Sequence, residues 1–154
     1  MKPSLAVALG AAFLTIACAA TAKDGIERLK SIDVFQLEYA DDVQISPDGS
    51  QVAYVRVSHD IMTDRARRNL WLVNADGTNN RPVRSESKSY LSPRWSPDGT
   101  RLAYVSAAEG SPQLYVRWMD TGQTALLTNL VQSPGAIAWS PDGKSIAFTQ
   151  LVPT

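Results

Sequence analysis

The sequence predicts an all-β fold: an incomplete β-propeller of two four-stranded blades and half of a third, following a signal peptide. Three observations lead to this prediction. The first two dozen residues have the composition of an export signal. A strand–turn–strand pattern then occurs three times without gaps, and a second pair of strand signals lies between its copies. Four short strands in about 40–50 residues are typical of one propeller blade.

Residues 1–22 are predicted to form the signal peptide. Lys2 provides a positive charge, the run from Leu5 to Ala17 is almost entirely apolar, and Ala20-Thr21-Ala22 has the small-x-small pattern that signal peptidase cleaves. We expect cleavage after Ala22, which would place the mature chain in the periplasm or outside the cell. The apolar run is too short to cross a bilayer as a helix, so no stable membrane span is expected.

Cys18 is the sole cysteine and leaves one alternative open, a lipoprotein anchor. Ala17 is the small residue that a lipoprotein signal needs before its cysteine. However, Leu14 lies four residues before Cys18, where three is usual. We therefore favour loss of Cys18 with the signal peptide. In either case the chain can form no internal disulfide.

The repeat is a hairpin built around Ser-Pro-Asp-Gly. Proline presets the φ angle of a type I turn, aspartate hydrogen-bonds to the nearby backbone, and glycine closes the turn in the left-handed region. After the turn, Leu102 and Tyr104 alternate with Ala103 and Val105, so both faces of the strand are apolar. Such strands are expected to be covered on both sides. The three copies are 43–55, 93–105 and 137–149.

Further strand signals complete each blade. They lie at Asn69–Val73 and Gln113–Trp118, each followed by a glycine-containing turn, with a short strand at Ala125–Leu127. The predicted organisation is therefore a lead-in over 23–40, with a short helix at about Gly25–Leu37, and a partial propeller over 41–154. The blades are expected at about 41–84, 91–128 and 135–154.

The spacing of the repeats predicts an insertion and a truncation. Pro47 and Pro97 are 50 residues apart, whereas Pro97 and Pro141 are 44 apart. The six extra residues fall between the second and third strands of blade one, around Ser58–Arg68. The third strand of blade three would lie near position 159, beyond Thr154. We therefore expect a fragment with an open ring, whose unpaired edges favour self-association.

No catalytic, cofactor-binding or metal-binding residue is predicted. The sequence has no Gly-x-Ser-x-Gly elbow, no glycine-rich phosphate loop and no paired cysteine or His-x-x-x-His spacing. His59 is the sole histidine and is expected to be an exposed loop residue. With 15 basic and 15 acidic residues and no long charge run, nucleic acid is not expected as a partner.

A few residue sets invite a functional interpretation. The charged residues of the insertion could form a recognition surface, but we favour a solvated loop with local ion pairs that contribute little. These residues are Asp60, Asp64, Arg65, Arg67 and Arg68. The repeated aspartates are expected to stabilise turns and not to bind cations. They are Asp48, Asp98 and Asp142.

The aromatic residues follow the repeat and indicate packing between blades. Trp95 and Trp139 occupy one position of the repeat, which Ile45 fills in blade one. Trp71 and Tyr115 are likewise equivalent, and we assign both pairs to the core. Trp118 has no equivalent and is expected to be exposed.

These residues resemble the N-terminal propeller of prolyl oligopeptidase-family serine peptidases, in particular the acylaminoacyl-peptidase and dipeptidyl-peptidase branch. The similarity lies in three segments and covers about Ile32–Thr149. They are Val34–Leu37 with Val43–Gly49, Arg67–Gly77, and the Trp-Ser-Pro-Asp-Gly hairpin. The resemblance implies a propeller that admits short peptides to a separate α/β-hydrolase domain. That domain, which supplies the serine, acid and histidine, has no counterpart here, so this chain alone is not expected to be an enzyme.

Two alternatives remain at this stage. A propeller similar to that of TolB would bind proteins and catalyse nothing, although TolB-like proteins place a separate α/β domain before the propeller. Here blade one begins about twenty residues after the signal, which leaves no room for such a domain. In the other alternative, several copies of the chain assemble one ring, which would require strand exchange.

Overall fold

The computed structural model describes residues 28–84, 88–108 and 110–152. The expected signal peptide, Cys18 and the first part of the predicted helix lie outside these residues. A short 3-10 helix at Ser31–Gln36 precedes ten strands. They are β1 (Tyr39–Ile45), β2 (Gln51–Asp60), β3 (Arg65–Asn74), β4 (Arg81–Arg84), β5 (Tyr90–Trp95), β6 (Arg101–Ser106), β7 (Gln113–Trp118), β8 (Thr124–Leu126), β9 (Gly135–Trp139) and β10 (Ile146–Thr149).

The strands form three antiparallel sheets in sequence order. Strands β1 to β4 make blade one, β5 to β8 make blade two, and β9 pairs with β10 in blade three. The first strands of the blades converge, because β1 contacts β5 and β5 contacts β9. Consecutive four-stranded meanders that meet at their first strands are the arrangement of a propeller. The predicted incomplete β-propeller is therefore confirmed.

Two apolar layers hold the three blades together. One contains Leu70 and Leu72 of blade one with Leu102, Tyr104 and Tyr115 of blade two. The other, between blades two and three, contains buried side chains from three strands, β6, β7 and β9. They are Ala103, Val105, Leu114, Val116 and Ile137. Because the residues of β6 alternate between the two layers, the strand is buried on both faces, as its sequence predicted.

The first strand of each blade contains a bulge with a left-handed residue. Asp42, Ser92 and Ala136 occupy equivalent positions of the repeat and have φ angles of 44°, 53° and 34°. In blades one and two the strand register shifts at this point, between Asp41 and Gln44 in the first case. Left-handed residues other than glycine are uncommon. Their recurrence at the same repeat position therefore indicates that a bulge in the first strand is a regular feature of each blade.

The insertion in blade one is not a loop, which corrects the sequence-based prediction. The six extra residues lengthen β2 and β3, which pair without interruption from Gln51 opposite Asn74 to Asp60 opposite Arg65. His59 consequently lies in β2, half-buried opposite Ala66, and the prediction of an exposed loop residue is wrong. His59 lies on the same face of β2 as the buried residues Ala53, Val55 and Val57, which alternate along the strand.

The helical lead-in is shorter than predicted. Its described part forms a single 3-10 helix at Ser31–Gln36, and none of the six side chains is buried. The backbone leaves the helix at Leu37 in an extended conformation. Apolar residues such as Ile32 and Val34 are exposed there, so no packed apolar face stabilises a longer helix.

Two tryptophans link successive blades through their indole nitrogens. Trp95 Nε1 donates to the Gln44 carbonyl at 3.2 Å, and Trp139 Nε1 donates to the Arg94 carbonyl at 3.0 Å. In each case the acceptor belongs to the preceding blade. It is the residue just before the position in that blade that is equivalent to the donating tryptophan. Both tryptophans pack on the apolar layers, as predicted. Ile45 differs from this prediction: it is 67% exposed, because no preceding blade lies beside it among the described residues.

We expect Trp95→Phe to weaken the contact between blades one and two. The substitution keeps an aromatic ring in the layer but removes the hydrogen bond to Gln44, and a net loss of about 1 kcal/mol is usual for such a bond. Urea unfolding followed by circular dichroism measures the effect. Trp118→Phe is the matched control, since Trp118 is 37% exposed and makes no such bond in the described part of the chain. Equal effects of the two substitutions would contradict the proposed link.

Candidate functional site

Hydrogen bonds among residues of the same turn hold each Ser-Pro-Asp-Gly hairpin together. In blade two, the Ser96 hydroxyl donates to Asp98 Oδ1 at 2.5 Å and accepts from the Arg101 backbone N–H at 2.9 Å. Asp98 Oδ1 also accepts from the Thr100 backbone N–H at 3.1 Å. Gly99 closes the turn with a φ of 70°. The same contacts recur in the other copies at Ser46, Asp48, Ser50 and Gln51 and at Ser140, Asp142, Lys144 and Ser145.

The turn aspartates hold their negative charge strongly. Hydrogen bonds, first from the Ser46 and Ser96 hydroxyls, lower the pKa of Asp48 and of Asp98 from 3.8 to about 2. The pKa of Asp142 is lowered in the same way, chiefly by Ser140. Because local donors already engage these carboxylates, they support the turn in preference to a cation.

Acid unfolding should report this shift. A lowered folded-state pKa gives stability that is fully present above the unfolded pKa near 3.8 and is lost as pH falls through the folded pKa near 2. We therefore expect the midpoint of thermal unfolding to fall between about pH 4 and pH 2. Asp98→Asn should flatten this dependence, whereas exposed Asp120→Asn, outside the repeated hairpins, should not. An unchanged slope in Asp98→Asn would contradict the explanation.

The converging first strands carry a polar cluster, the channel-wall cluster, formed by Asp42, Gln44 and Arg94. Arg94 Nη1 lies 2.8 Å from Asp42 Oδ1, and Gln44 Nε2 donates to the same oxygen at 3.0 Å. The left-handed backbone at Asp42 brings its carboxylate into this position. In a propeller the first strands surround the central channel. The cluster is thus the described surface best placed to meet a molecule in the channel.

The extended β2–β3 hairpin carries most of the charged residues noted in the sequence. Asp60 forms an ion pair with Arg67 and accepts from the Met62 backbone N–H at 2.9 Å. These contacts, the Met62 bond foremost, lower the pKa of Asp60. Asp64, at the turn, has a φ of 50°. Arg65 and Arg67 are exposed, whereas Arg68 is half-buried. The hairpin is therefore an extended, charged part of blade one, and its ion pair joins two of its own residues.

The remaining aromatic residues divide between the core and an open face. Tyr115 is buried between blades, as predicted, and Trp118 is exposed, as predicted. Trp71 differs from its equivalent Tyr115. It lies on the face of blade one that points away from blade two, half-buried beneath the Arg56 guanidinium, which is 4.5 Å from its ring centre. Blade one packs against Tyr115, whereas no neighbouring blade among the described residues packs against Trp71.

The described residues offer no assembled catalytic centre. Across 28–84, 88–108 and 110–152, no three His, Cys, Asp or Glu side chains are grouped to hold a metal ion. No helix in the same ranges is both long enough and apolar enough to cross a membrane. His59 Nδ1 is buried and has no hydrogen-bond partner there. The channel-wall cluster was missed in the sequence, because its residues become neighbours only through the bulge in β1.

Comparison with known proteins gives relatives of two kinds. The chain is 34% identical over 118 residues to the uncharacterized peptidase YuxL of Bacillus subtilis, covering 76% of this chain and 18% of that protein. It is 33% identical over 108 residues to dipeptidyl-peptidase 5 of Porphyromonas endodontalis, covering 68% and 15%. Against the Tol-Pal system protein TolB of Methylobacillus flagellatus it is 41% identical over 80 residues, covering 52% and 17%. The chain thus spans less than a fifth of each relative.

The similar solved structures also include both a TolB protein and a peptidase. TolB from Acinetobacter baumannii aligns with a TM-score of 0.59 and 34% identity over 68% of this chain and 26% of that one. The acylaminoacyl peptidase of Pyrococcus horikoshii aligns with a TM-score of 0.62 and 18% identity over 74% and 17%, a similarity of fold. The model of the TolB β-propeller domain family matches residues 48–152. This chain therefore belongs to the TolB β-propeller domain family.

Proposed function

We propose that this chain is part of the propeller of an exported serine peptidase and limits access of peptides to a catalytic domain carried elsewhere in the full-length protein. The chemistry would belong to that domain, since no candidate for a nucleophile–histidine pair is found among the described residues. The proposed substrates are short peptides, which a propeller channel admits while it excludes folded proteins.

The extent of the similarity carries this proposal. The peptidase YuxL aligns over 118 residues, which is more than the 105 residues from 48 to 152 that match the propeller family model. That alignment covers 76% of this chain. The TolB of Methylobacillus flagellatus aligns over 80 residues. The longer alignment with the peptidase is the observation that favours this proposal.

The channel-wall cluster gives the proposed filter a physical basis. Arg94 and Asp42 lie on neighbouring first strands and present both charges where the blades converge. Each is about one-third exposed or less, so water and a peptide can still reach the pair. A peptide that passes this wall offers amide groups and charged termini, which both side chains can bind.

A protein-binding propeller without catalytic function is the second candidate. It is supported by the family model, by the TolB relatives and by the 34% identity to the TolB structure of Acinetobacter baumannii. In this case the exposed blade faces and the β2–β3 hairpin would contact another protein. The comparisons support this candidate as well as they support the peptidase.

Labelling of the natural full-length protein with a fluorophosphonate distinguishes the two candidates. A serine peptidase is expected to react covalently through its nucleophilic serine and to hydrolyse short peptide p-nitroanilides. Substitution of the labelled serine by alanine is the control for both readouts. Absence of labelling and of hydrolysis in a folded, full-length protein would overturn the peptidase proposal and favour the protein-binding one.

Export is part of the proposal and has its own test. Fractionation of cells that produce the protein should place it in the periplasm or the medium, and N-terminal sequencing should begin at Lys23. A mature form that begins at Cys18 and carries a lipid would replace this proposal with a lipoprotein anchor. Recovery of uncleaved protein from the cytoplasm would contradict export itself.

We expect the chain on its own to self-associate through its open faces. Val43 and Ile45 at the blade-one end and Phe148 at the blade-three end are exposed apolar side chains beside strand edges. Gel filtration with light scattering should therefore show large or polydisperse species. Ile45→Lys places a charge on one open face and should reduce the apparent mass, whereas Met62→Lys, in the turn between β2 and β3, should not. A discrete ring-sized oligomer would instead favour assembly of one propeller from several copies.

A further inference from the structure

A small crevice lies between blades one and two. Its volume is about 180 Å³, enough for a small ion but not for a nucleotide. Hydroxyl-bearing and aromatic side chains form most of its wall. The lining residues include Arg84, Tyr90, Tyr104, Ser106, Tyr115 and Thr124. Two of these, Tyr104 and Tyr115, stack with ring centres 5.7 Å apart, so the wall is rigid.

Ser106 contributes a buried hydroxyl that the protein leaves unsatisfied. The residue is 2% exposed, and its Oγ has no hydrogen-bond partner among the described residues. An unpaired buried hydroxyl costs free energy, so native proteins rarely keep one without a partner. The wall of a crevice is a place where such a partner can arrive from solution.

Arg84 lines the crevice, and two further arginines lie near Arg84. Arg84 Nη2 donates to Thr124 Oγ1 at 3.3 Å and so connects β4 of blade one to β8 of blade two. Arg117 lies opposite Thr124 on β7, and Arg81 lies on β4. Neither Arg81 nor Arg117 forms an ion pair within the described ranges. Burial, followed by repulsion from Arg84 and Arg81, lowers the pKa of Arg117. Three guanidinium groups thus share one region.

We propose that this crevice binds a small oxyanion, either a phosphate or a carboxylate. Guanidinium groups bind both anions through paired N–H donors, and a serine hydroxyl donates to either. An anion in the crevice would give the Ser106 hydroxyl its missing partner and offset the mutual repulsion of the arginines. Because it would touch both blades, it would also strengthen their contact. This site is independent of the proposed peptidase function.

Thermal unfolding of the full chain tests the proposal directly. Phosphate and acetate are compared separately with chloride at equal ionic strength and pH. At a concentration about ten times Kd, the bound anion is expected to raise the unfolding midpoint by about 5 °C. A shift with phosphate assigns the site to a phosphate group, and a shift with acetate assigns it to a carboxylate. No shift with either anion would overturn the proposal.

Three variants separate a built site from general ion effects. Arg84→Gln should abolish the shift, whereas Arg65→Gln, which removes the same charge from the exposed hairpin, should keep it. Ser106→Ala should be at least as stable as the parent without anion, since it removes an unsatisfied hydroxyl, yet respond at least threefold less to the anion. Titration calorimetry with phosphate or acetate provides a second readout if a variant unfolds. Equal responses of Arg84→Gln and Arg65→Gln would mean an adventitious ion only and would contradict the site.

Discussion

Replacing Tyr104 by alanine is expected to destabilise the fold by about 3–5 kcal/mol, the loss usual for removal of a large buried aromatic ring. Tyr104 is 2% exposed and lies in the layer between blades one and two. Its ring stacks on Tyr115 at 5.7 Å and meets the edge of Tyr90 at 5.8 Å. Its removal would open a cavity beneath both partners. A loss of this size is comparable to the whole stability of a small domain.

Urea unfolding of Tyr104→Ala beside Tyr104→Phe measures this effect. The phenylalanine variant keeps both ring contacts and should lose no more than about 1 kcal/mol. An alanine variant that remains within about 1 kcal/mol of the parent would show that the blades are not held by this layer. Both variants should be read by near-ultraviolet circular dichroism as well, because that signal reports the packing of aromatic side chains.

Replacing Ser96 by alanine is expected to destabilise the fold by about 1–3 kcal/mol through unsatisfied buried polar groups. The Ser96 hydroxyl is completely buried and accepts from the Arg101 backbone N–H at 2.9 Å. Alanine leaves that donor without its side-chain acceptor and removes the closest donor to Asp98. The hairpin that connects β5 to β6 should therefore loosen, together with the Trp95 position next to it.

The repeat supplies a matched control in Ser140→Ala. Ser140 makes the same contacts, to Asp142 Oδ1 at 2.6 Å and from the Ser145 backbone N–H at 3.0 Å. It lies in the more exposed blade three, where water can replace the lost partner. We expect less than half the effect of Ser96→Ala, measured by the same urea unfolding. Equal losses would indicate that burial does not determine the importance of this hairpin.

The hairpins and the packing between blades could be predicted from the sequence because each depends on local chemistry that is repeated. Ser-Pro-Asp-Gly specifies its turn within a few residues, and Gly49, Gly99 and Gly143 adopt the expected left-handed conformation. The two apolar faces of β6 likewise predicted its complete burial. Because the repeat occurs three times, a prediction made for one copy can be checked against the other two. A prediction for a single, unrepeated element has no such check.

The bulges in the first strands could not be predicted, since no glycine marks them. Asp42, Ser92 and Ala136 share only their small or polar character and their distance from the turn. The channel-wall cluster depends on this bulge, because it sets where the Asp42 carboxylate meets Arg94. A functional surface built from such positions becomes visible only in the structure.

The long hairpin was misjudged for a different reason. An insertion between strands can form a loop or extend both strands, and spacing alone does not distinguish them. Arg65–Arg68 contains three arginines, which suggested a solvated loop, yet these residues pair across strands with residues 57–60. His59 lies in the same pairing, opposite Ala66, and is therefore part of the sheet.

Determination of the gene sequence beyond codon 154 tests the central claim most directly. We expect one continuous reading frame that adds further blades and then encodes a Gly-x-Ser-x-Gly elbow, followed by an aspartate and a histidine in that order. This result would identify the chain as part of a peptidase propeller. A frame that completes the ring of blades and stops without a nucleophile elbow would contradict the peptidase proposal and identify a protein-binding propeller.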